Sequence, residues 1–193
     1  MEVKNINLND FIKVYDSILD EEVLNNFLNI CKNHEYEQAR IGKNQIERNI
    51  RKTDVWYLDN RMKSLTTVHW YNFLNHTFKN KFTEYMKLFF NNKMDHTVPT
   101  IDEIQVLKYE KTYHYKFHTD QSFWTNRQWS GIFFLNDEYK GGDLLFSTPD
   151  GTGELRFEKK KNRMVIWPSN FMYPHSVLPV EEGVRYSVVT WAK

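Results

Sequence analysis

The pattern that most constrains the fold begins near residue 100. Helical periodicity stops there, and short runs rich in β-branched and aromatic residues alternate with turn signals such as Asn136-Asp137 and Gly141-Gly142. About eight such runs occupy roughly the last 90 residues, a density typical of an antiparallel sandwich or barrel. The clearest runs are Ile101–Tyr109, Trp129–Leu135, Asp143–Phe146, Leu155–Glu158, Met164–Trp167, Ser176–Val180 and Arg185–Trp191. The C-terminal half is therefore predicted to be mostly β.

The N-terminal half has a different, largely helical pattern. Apolar residues at helical spacing predict a helix over 21–33, with Asp20 as its N-cap, and a second helix over 63–91. Short strands are predicted within 11–19 and at Asp54–Leu58. We therefore expect one domain, in which a helical support region (1–99) carries a β core (100–193).

Composition narrows the functional classes. The 26 basic and 25 acidic residues give a formal charge of +1, so the basic excess of a nucleic-acid binder is missing. No apolar run approaches the roughly 18 residues that span a membrane, and no signal-peptide pattern opens the sequence. Cys31 is the single cysteine, which excludes an intrachain disulfide. These features favour a cytoplasmic protein, and they leave the oligomeric state open.

The segment His118-Thr119-Asp120 is a candidate metal site. Side chains at positions i and i+2 of a strand point to the same face, so His118 and Asp120 reach one point. A buried, unpaired carboxylate is costly, and a metal ion would offset that cost. His175 supplies a third ligand in a later run. Two histidines and one carboxylate form the facial triad of non-haem Fe(II) oxygenases, whereas zinc favours cysteine or a third histidine.

A candidate site for an acidic co-substrate follows the third ligand. Arg185 lies ten residues after His175, at the start of the last predicted strand. The planar guanidinium binds a carboxylate through two parallel hydrogen bonds and stays protonated, which suits the far carboxylate of 2-oxoglutarate. Tyr109 is placed to donate a phenolic hydrogen bond to the same carboxylate, and Ser187 shares the face of Arg185.

Several stretches together resemble the 2-oxoglutarate/Fe(II) oxygenases, and specifically their prolyl 4-hydroxylase-like branch. The resemblance covers about residues 100–193, with a weaker match at the opening Tyr15–Asp20. The matching stretches are Leu107–Tyr109, Tyr115–Asp120, Tyr139–Phe146, Val165–Pro168, Pro174–Val177 and Val184–Val188. The implied fold is mostly β with N-terminal helices: a double-stranded β-helix (a jelly-roll, cupin-like barrel) supported by α-helices.

The resemblance also implies roles for individual residues. His118, Asp120 and His175 correspond to iron ligands, and Arg185 and Tyr109 correspond to residues that bind 2-oxoglutarate. The implied cofactors are Fe(II), 2-oxoglutarate and O₂, with ascorbate as an optional addition.

Two aromatic residues are matched to the substrate side of the metal. Tyr115 lies three residues before His118, and Trp191 is on the last strand. The sequence departs from the family in the loop 110–114, which lacks the glycine often found there, and segment 42–62 matches nothing familiar. Contacts with the substrate are therefore the least defined part of the site.

Three functions remain open at this point. The first is hydroxylation of prolyl residues in a peptide or protein. The second is hydroxylation of a free amino acid, another small molecule or another residue type. The third is a non-catalytic jelly-roll binding module, which has no need to retain the three metal ligands and Arg185 together. Asp120 favours hydroxylation over halogenation, since a smaller residue there would open a position for a halide ion.

Overall fold

The computed structural model describes residues 7–41, 45–61, 64–90 and 99–193. Its helices are a 3-10 turn at Leu8–Phe11, α1 (Glu21–Asn33) and α2 (Leu65–Phe90). The early strands are β1 (Lys13–Tyr15), β2 (Glu37–Gln38), β3 (Arg51–Lys52) and β4 (Asp54–Leu58). The later strands are β5 (Ile101–Tyr109), β6 (His114–His118), β7 (Trp129–Phe134), β8 (Lys140–Gly141), β9 (Leu144–Ser147), β10 (Glu154–Phe157), β11 (Arg163–Pro168), β12 (His175–Val177), β13 (Val180–Glu182) and β14 (Arg185–Ala192).

The strands form two main antiparallel sheets and one small one. The large sheet has the order β1-β11-β7-β14-β5-β4-β2, and the second has the order β10-β9-β12-β6-β3. Strands β13 and β8 pair separately. Most neighbouring strands are non-consecutive in sequence, as in a jelly-roll; the exceptions are β4 with β5 and β9 with β10. Both sheets contain strands from before and after residue 100, so the N-terminal region contributes to the sheets as well as to the helical layer.

The two helices cover one face of the large sheet. Phe27 of α1 and Phe78 and Phe82 of α2 are fully buried in one apolar cluster with sheet residues such as Phe133 and Val188. The helices form because apolar residues recur at helical spacing, and they are stable because that face is buried against the sheet. The backbone of β7 lies close to α2, since a Cβ built on Gly131 of β7 would lie 3.0 Å from Cζ of Phe82.

The opposite face of the large sheet points toward the second sheet. Along β14, Tyr186 and Val188 pack under the helices, whereas Val189 and Trp191 line a cavity on the other side. The same alternation holds on β7, where Phe133 faces the helices and Ile132 lines the cavity. The period of two along each strand therefore separates a helix-packed core from the interior of the jelly-roll.

Most predicted elements are present, with differences at turns. The predicted strand Ser176–Val180 is wrong as one element, since the structure has β12 and β13 on either side of Leu178-Pro179. Proline has no N–H for a sheet hydrogen bond, which explains the interruption. Helix α1 has the predicted limits, and the predicted ends of the second helix, residues 63 and 91, lie outside the described residues. Within the described residues, no helix combines the length and apolarity needed to span a bilayer.

Candidate active site

Two histidines lie opposite each other on neighbouring strands of the second sheet. His118 ends β6 and His175 begins β12, and the two are direct partners in the register of these strands. Their ring centres are 4.3 Å apart. The residue before His175 is Pro174, whose carbonyl accepts the N–H of Ser147, so strand pairing begins as the chain leaves the proline. The pairing of β6 with β12 thus brings together two residues far apart in sequence.

Asp120 completes the cluster from a bend that follows β6. Its Oδ1 lies 3.7 Å from Nε2 of His118, and its Oδ2 lies 3.4 Å from Nε2 of His175. The three candidate ligand atoms are all within 4.8 Å of one another. The sequence analysis placed His118 and Asp120 on one strand, whereas β6 ends at His118. The bend nevertheless brings the carboxylate to the point predicted from strand alternation.

The hydrogen bonds of the two imidazoles leave one nitrogen of each ring available. Nδ1 of His118 lies 2.9 Å from the carbonyl of Lys116, and Nδ1 of His175 lies 3.1 Å from the carbonyl of Tyr173. Because a carbonyl can only accept, each Nδ1 carries the proton and each Nε2 presents a lone pair. Burial lowers the pKa of His118 to about 3, so that ring is neutral at physiological pH. These protonation states suit metal coordination.

Asp120 is held by a pair of buried serines. The hydroxyl of Ser130 donates to Oδ2 of Asp120 at 2.6 Å and lies 2.7 Å from the hydroxyl of Ser169. Burial opposes the ionisation of Asp120, whereas hydrogen bonds donated by Ser130 and Trp191 favour it, and the pKa of Asp120 is lowered. The carboxylate is therefore ionised and fixed in orientation, as expected of a metal ligand supported by hydrogen bonds.

A cavity of about 560 Å³ opens onto the three clustered residues. Its size is within the usual range for small-molecule sites. Among the residues matched to the substrate, Tyr115 and Trp191 both line it. The ring of Tyr115 stacks on His118 with 3.6 Å between ring centres. The structure thus brings both predicted substrate residues to the cavity that His118, Asp120 and His175 also line.

The predicted co-substrate residues form a buried group on β14 and β5. Arg185 and Ser187 are fully buried, and Tyr109, which is 1% exposed, lines the cavity directly. Arg185 pairs with Tyr109 in the strand register, and its guanidinium carbon lies 5.0 Å from the centre of the phenol ring. Arg185 and Ser187 lie outside the cavity lining, so Tyr109 is the member of this group that reaches it.

The polar atoms of this group have no hydrogen-bond partner within the described part of the chain. They include Nε, Nη1 and Nη2 of Arg185, the hydroxyl of Tyr109 and the hydroxyl of Ser187. Burial raises the pKa of the Tyr139 phenol, and the nearby positive charge of Arg185 opposes that rise. No carboxylate among the described residues pairs with this guanidinium. A buried charge without a counter-ion is costly, so the group fits an acidic ligand.

Arg51 and Arg127 are among the arginines of the cavity wall that were not identified from the sequence. Arg51 projects from the two-residue strand β3, and the guanidinium carbon of Arg127 lies 3.5 Å from the centre of the Trp191 ring. Arg127 also pairs with Glu103 at 3.4 Å. Both arginines lie in polar segments whose place in the structure depends on distant partners. No local signal in the sequence distinguishes them from surface arginines.

The comparison with protein families agrees with this geometry. Residues 104–193 match the family model described as the 2OG-Fe(II) oxygenase superfamily. That range contains the three clustered residues, Arg185, Tyr109 and both aromatic residues of the cavity.

Relatives in sequence include two groups of hydroxylases. Prolyl 3-hydroxylase 3 of Homo sapiens is 36% identical over 69 residues, which are 35% of this chain and 9% of that protein. A PKHD-type hydroxylase of Crocosphaera subtropica is 32% identical over 98 residues, covering 47% of this chain and 42% of that protein. The chain thus matches less than half the length of these curated relatives.

Solved structures share the fold at low sequence identity. A Trichoplax adhaerens prolyl hydroxylase in complex with a hypoxia inducible factor peptide fragment aligns with a TM-score of 0.75 and 17% identity, over 94% of this chain and 83% of that one. A Pseudomonas putida prolyl-4-hydroxylase aligns with a TM-score of 0.71 and 18% identity, over 94% and 91%. The predicted jelly-roll with N-terminal helices is confirmed.

Proposed function

Residues 104–193 match the family model of the 2OG-Fe(II) oxygenase superfamily, and from that premise we propose that the chain is an Fe(II)- and 2-oxoglutarate-dependent dioxygenase that hydroxylates prolyl residues in a peptide or protein. The observation that carries the proposal is the pairing of two features in one jelly-roll. A cluster of two histidines and one carboxylate lies at a cavity, and a fully buried guanidinium without a counter-ion lies beside that cavity.

The donor set supports Fe(II) as the metal. His118, Asp120 and His175 offer two imidazole nitrogens and one carboxylate, and neither cysteine nor a fourth ligand is among the described residues that could join them. This set holds Fe(II) on one side and leaves the other positions for co-substrate and O₂. When bound, the iron would use O₂ as the oxidant and 2-oxoglutarate as the co-substrate, so that one oxygen atom enters a substrate C–H bond, the other enters succinate, and CO₂ is released.

The unpartnered atoms beside the cavity support 2-oxoglutarate as the co-substrate. Arg185 would bind the carboxylate remote from the metal, and the hydroxyls of Tyr109 and Ser187 would donate to it. All three residues belong to β5 and β14, which pair over their whole length. A site on paired strands holds its ligand in one orientation, which matters because the reacting atoms must be aligned.

The cavity walls support a substrate with an apolar, ring-shaped group near the metal. Tyr115 and Trp191 present aromatic surface, and Trp167 contacts the ring of His175 edge-on with 4.9 Å between centres. Aromatic walls exclude water and pack well against a pyrrolidine ring. The similarity to prolyl 3-hydroxylases and to a prolyl hydroxylase solved with a peptide supports a prolyl residue within a peptide or protein.

A peptide array tests the substrate assignment. The protein is incubated with Fe(II), ascorbate and 2-oxoglutarate, and each peptide is examined by mass spectrometry for the addition of one oxygen atom. We expect oxygen addition and matched succinate formation with proline-containing peptides only. His175→Ala should remove both signals, whereas Ser147→Ala, on β9 outside the cavity lining, should keep them. Succinate formation without any proline-dependent hydroxylation would overturn the prolyl assignment.

The alternative substrate class is a free amino acid or another small molecule. The arginine side chains in the cavity wall favour it, since they can hold the charged groups of a small substrate. The same assay with a panel of free amino acids separates the two classes. A non-catalytic binding module would form no succinate in either format.

A further inference from the structure

A second buried arginine lies in the cavity wall, apart from the proposed co-substrate group. Arg51 is 8% exposed and lines the cavity together with Tyr115 and His118. Its guanidinium carbon lies 4.9 Å from the centre of the Tyr115 ring, which itself stacks on the ring of His118. The ring of Tyr115 therefore contacts both the guanidinium of Arg51 and the imidazole of His118, a proposed metal ligand.

The hydrogen bonds of Arg51 leave its charge without a counter-ion. Nη1 donates to the carbonyl of Arg40 at 3.2 Å, and Nη2 donates to Oε1 of Gln105 at 3.0 Å. Nε is buried and has no partner among the described residues. Both acceptors are neutral, and none of the ion pairs in the described part of the chain includes Arg51. A guanidinium this buried normally pairs with a carboxylate.

Among the described residues, both acidic side chains that line the cavity, Glu103 and Asp120, already have partners. Oε2 of Glu103 accepts from the amide of Gln105 at 3.0 Å and from Arg127 at 3.4 Å. Asp120 belongs to the metal cluster. Gln105 thus separates Arg51 from Glu103, because its amide donates to Glu103 while its carbonyl accepts from Arg51. Arg51 therefore keeps a positive charge in the cavity wall that a ligand can neutralise.

From this arrangement we propose that Arg51 binds a carboxylate of the substrate, so that the molecule oxidised here is an acid. The inference rests on the proposed function, because the carboxylate would anchor the substrate beside the metal. Arg185 serves the carboxylate of 2-oxoglutarate, and Arg51 serves that of the substrate. The carboxylate is either the α-carboxylate of an amino acid or chain end, or an acidic side chain next to the target residue. Both sources present the same group to Arg51.

Direct binding to the metal-substituted protein tests the proposal. The protein is loaded with Mn(II) and 2-oxoglutarate without oxygen, and calorimetry measures the binding of three probes: N-acetylproline, N-acetylprolinamide and N-acetyl-glutamyl-prolinamide. Charge-assisted hydrogen bonds are about twice as strong as neutral ones, so an acidic probe should bind at least about tenfold more tightly than the amide. Tighter binding of N-acetylproline indicates an α-carboxylate, and tighter binding of N-acetyl-glutamyl-prolinamide indicates a side-chain carboxylate.

Variants at two neighbouring positions identify the residue responsible. Arg51→Gln should reduce the preference for acid over amide to less than about twofold. Arg51→Lys keeps the charge but loses the paired donors of the planar guanidinium, so it should retain part of the preference. Lys52→Gln is the matched control, since Lys52 is the next residue on β3, bonds to Thr112 and lies outside the cavity lining. It should bind all three probes like the unaltered protein.

The possible results distinguish a failure of this inference from a failure of the proposed function. Equal binding of acids and amide, binding of neither acid, or an acid preference that persists in Arg51→Gln would overturn the role of Arg51. Weaker 2-oxoglutarate binding in Arg51→Gln with unchanged acid preference would also overturn it, by assigning Arg51 to the co-substrate. Failure of the unaltered protein to bind 2-oxoglutarate at all would instead contradict the proposed function.

Discussion

Arg185 and Tyr109 face each other across the pairing of β14 with β5, with 5.0 Å between the guanidinium carbon and the centre of the phenol ring. A second ring, that of Phe134, lies 5.2 Å from the same carbon. Aromatic faces stabilise a buried cation only partly, by about 2 kcal/mol in desolvated sites. The protein without co-substrate therefore holds a charge whose burial is incompletely offset, and binding of an anion would relieve it.

Replacing Arg185 should have opposite effects on the stability of the ligand-free protein and on its affinity for 2-oxoglutarate. We expect Arg185→Met to raise the free energy of unfolding of the ligand-free protein by about 1–3 kcal/mol, because a buried charge is exchanged for apolar atoms of similar volume. The same change should weaken 2-oxoglutarate binding by at least about tenfold. Urea unfolding measures the first effect and calorimetry the second.

Arg156→Gln is the control for this change. Arg156 lies on β10, mostly exposed, and pairs with Asp143 at 3.4 Å. Neither measurement should differ from the unaltered protein by more than about 0.5 kcal/mol. Unchanged 2-oxoglutarate affinity in Arg185→Met would mean that another residue binds that carboxylate.

The hydroxyl of Ser130 should tune metal affinity through Asp120. In Ser130→Ala the 2.6 Å hydrogen bond to Oδ2 is lost, and the carboxylate can rotate away from the two histidines. We expect metal affinity to fall by about 10- to 100-fold, as for other residues that support a metal ligand. Titration with Mn(II), followed by thermal denaturation, measures the change. An affinity equal to that of the unaltered protein would show that Asp120 is oriented without the hydroxyl of Ser130.

The contact between Gly131 and Phe82 should be sensitive to one added methyl group. A Cβ at residue 131 would lie 3.0 Å from Cζ of Phe82, which is fully buried in the apolar cluster between the helices and the sheet. We expect Gly131→Ala to lower the free energy of unfolding by about 1–3 kcal/mol, the usual effect of overpacking. In a Phe82→Leu background the loss should be smaller, because the shorter side chain leaves space. Equal losses in both backgrounds would assign the effect to the backbone of β7.

An ion pair at the edge of the large sheet should make stability depend on pH. Hydrogen bonds from Arg163 and Lys160 hold the pKa of Asp16 well below its usual value. A lowered pKa stabilises the fold above the unfolded-state value of about 4, and that contribution declines as the pH falls below it. Because Asp16 is partly exposed, we expect Asp16→Asn to lose only about 0.5 kcal/mol at pH 7. Urea unfolding at pH 7 and pH 3 should show this difference shrinking in acid.

Much of the fold could be predicted because burial on one face imposes a period on the sequence. The strands Asp54–Leu58 and Ile101–Tyr109 have the limits expected from alternation, and α1 has the limits expected from helical spacing. The short strands β2 and β3 are polar and only two residues long. Their strand character comes from partners elsewhere in the chain, such as Tyr115 opposite Arg51, so local sequence has no sign of it.

Some residues of the site could be predicted from the sequence, and others could not. His118, Asp120 and His175 are recognisable because their side-chain chemistry, order and strand context occur together, and the structure brings them to one point. Arg51 belongs to the same cavity, yet it is identical in type to surface arginines such as Arg61. Only the long-range pairing of β3 with β6 distinguishes the two, which is why the sequence analysis missed it.

The most direct test of the central claim is an anaerobic titration of the Fe(II)-loaded protein with 2-oxoglutarate, followed by visible absorption. Chelation of the iron by 2-oxoglutarate produces a charge-transfer band. We predict a saturable band for the unaltered protein, the same band at higher 2-oxoglutarate concentration for Arg185→Met, and no band for His175→Ala. A band of equal strength in His175→Ala, or no band in the unaltered protein, would contradict the assignment of this site.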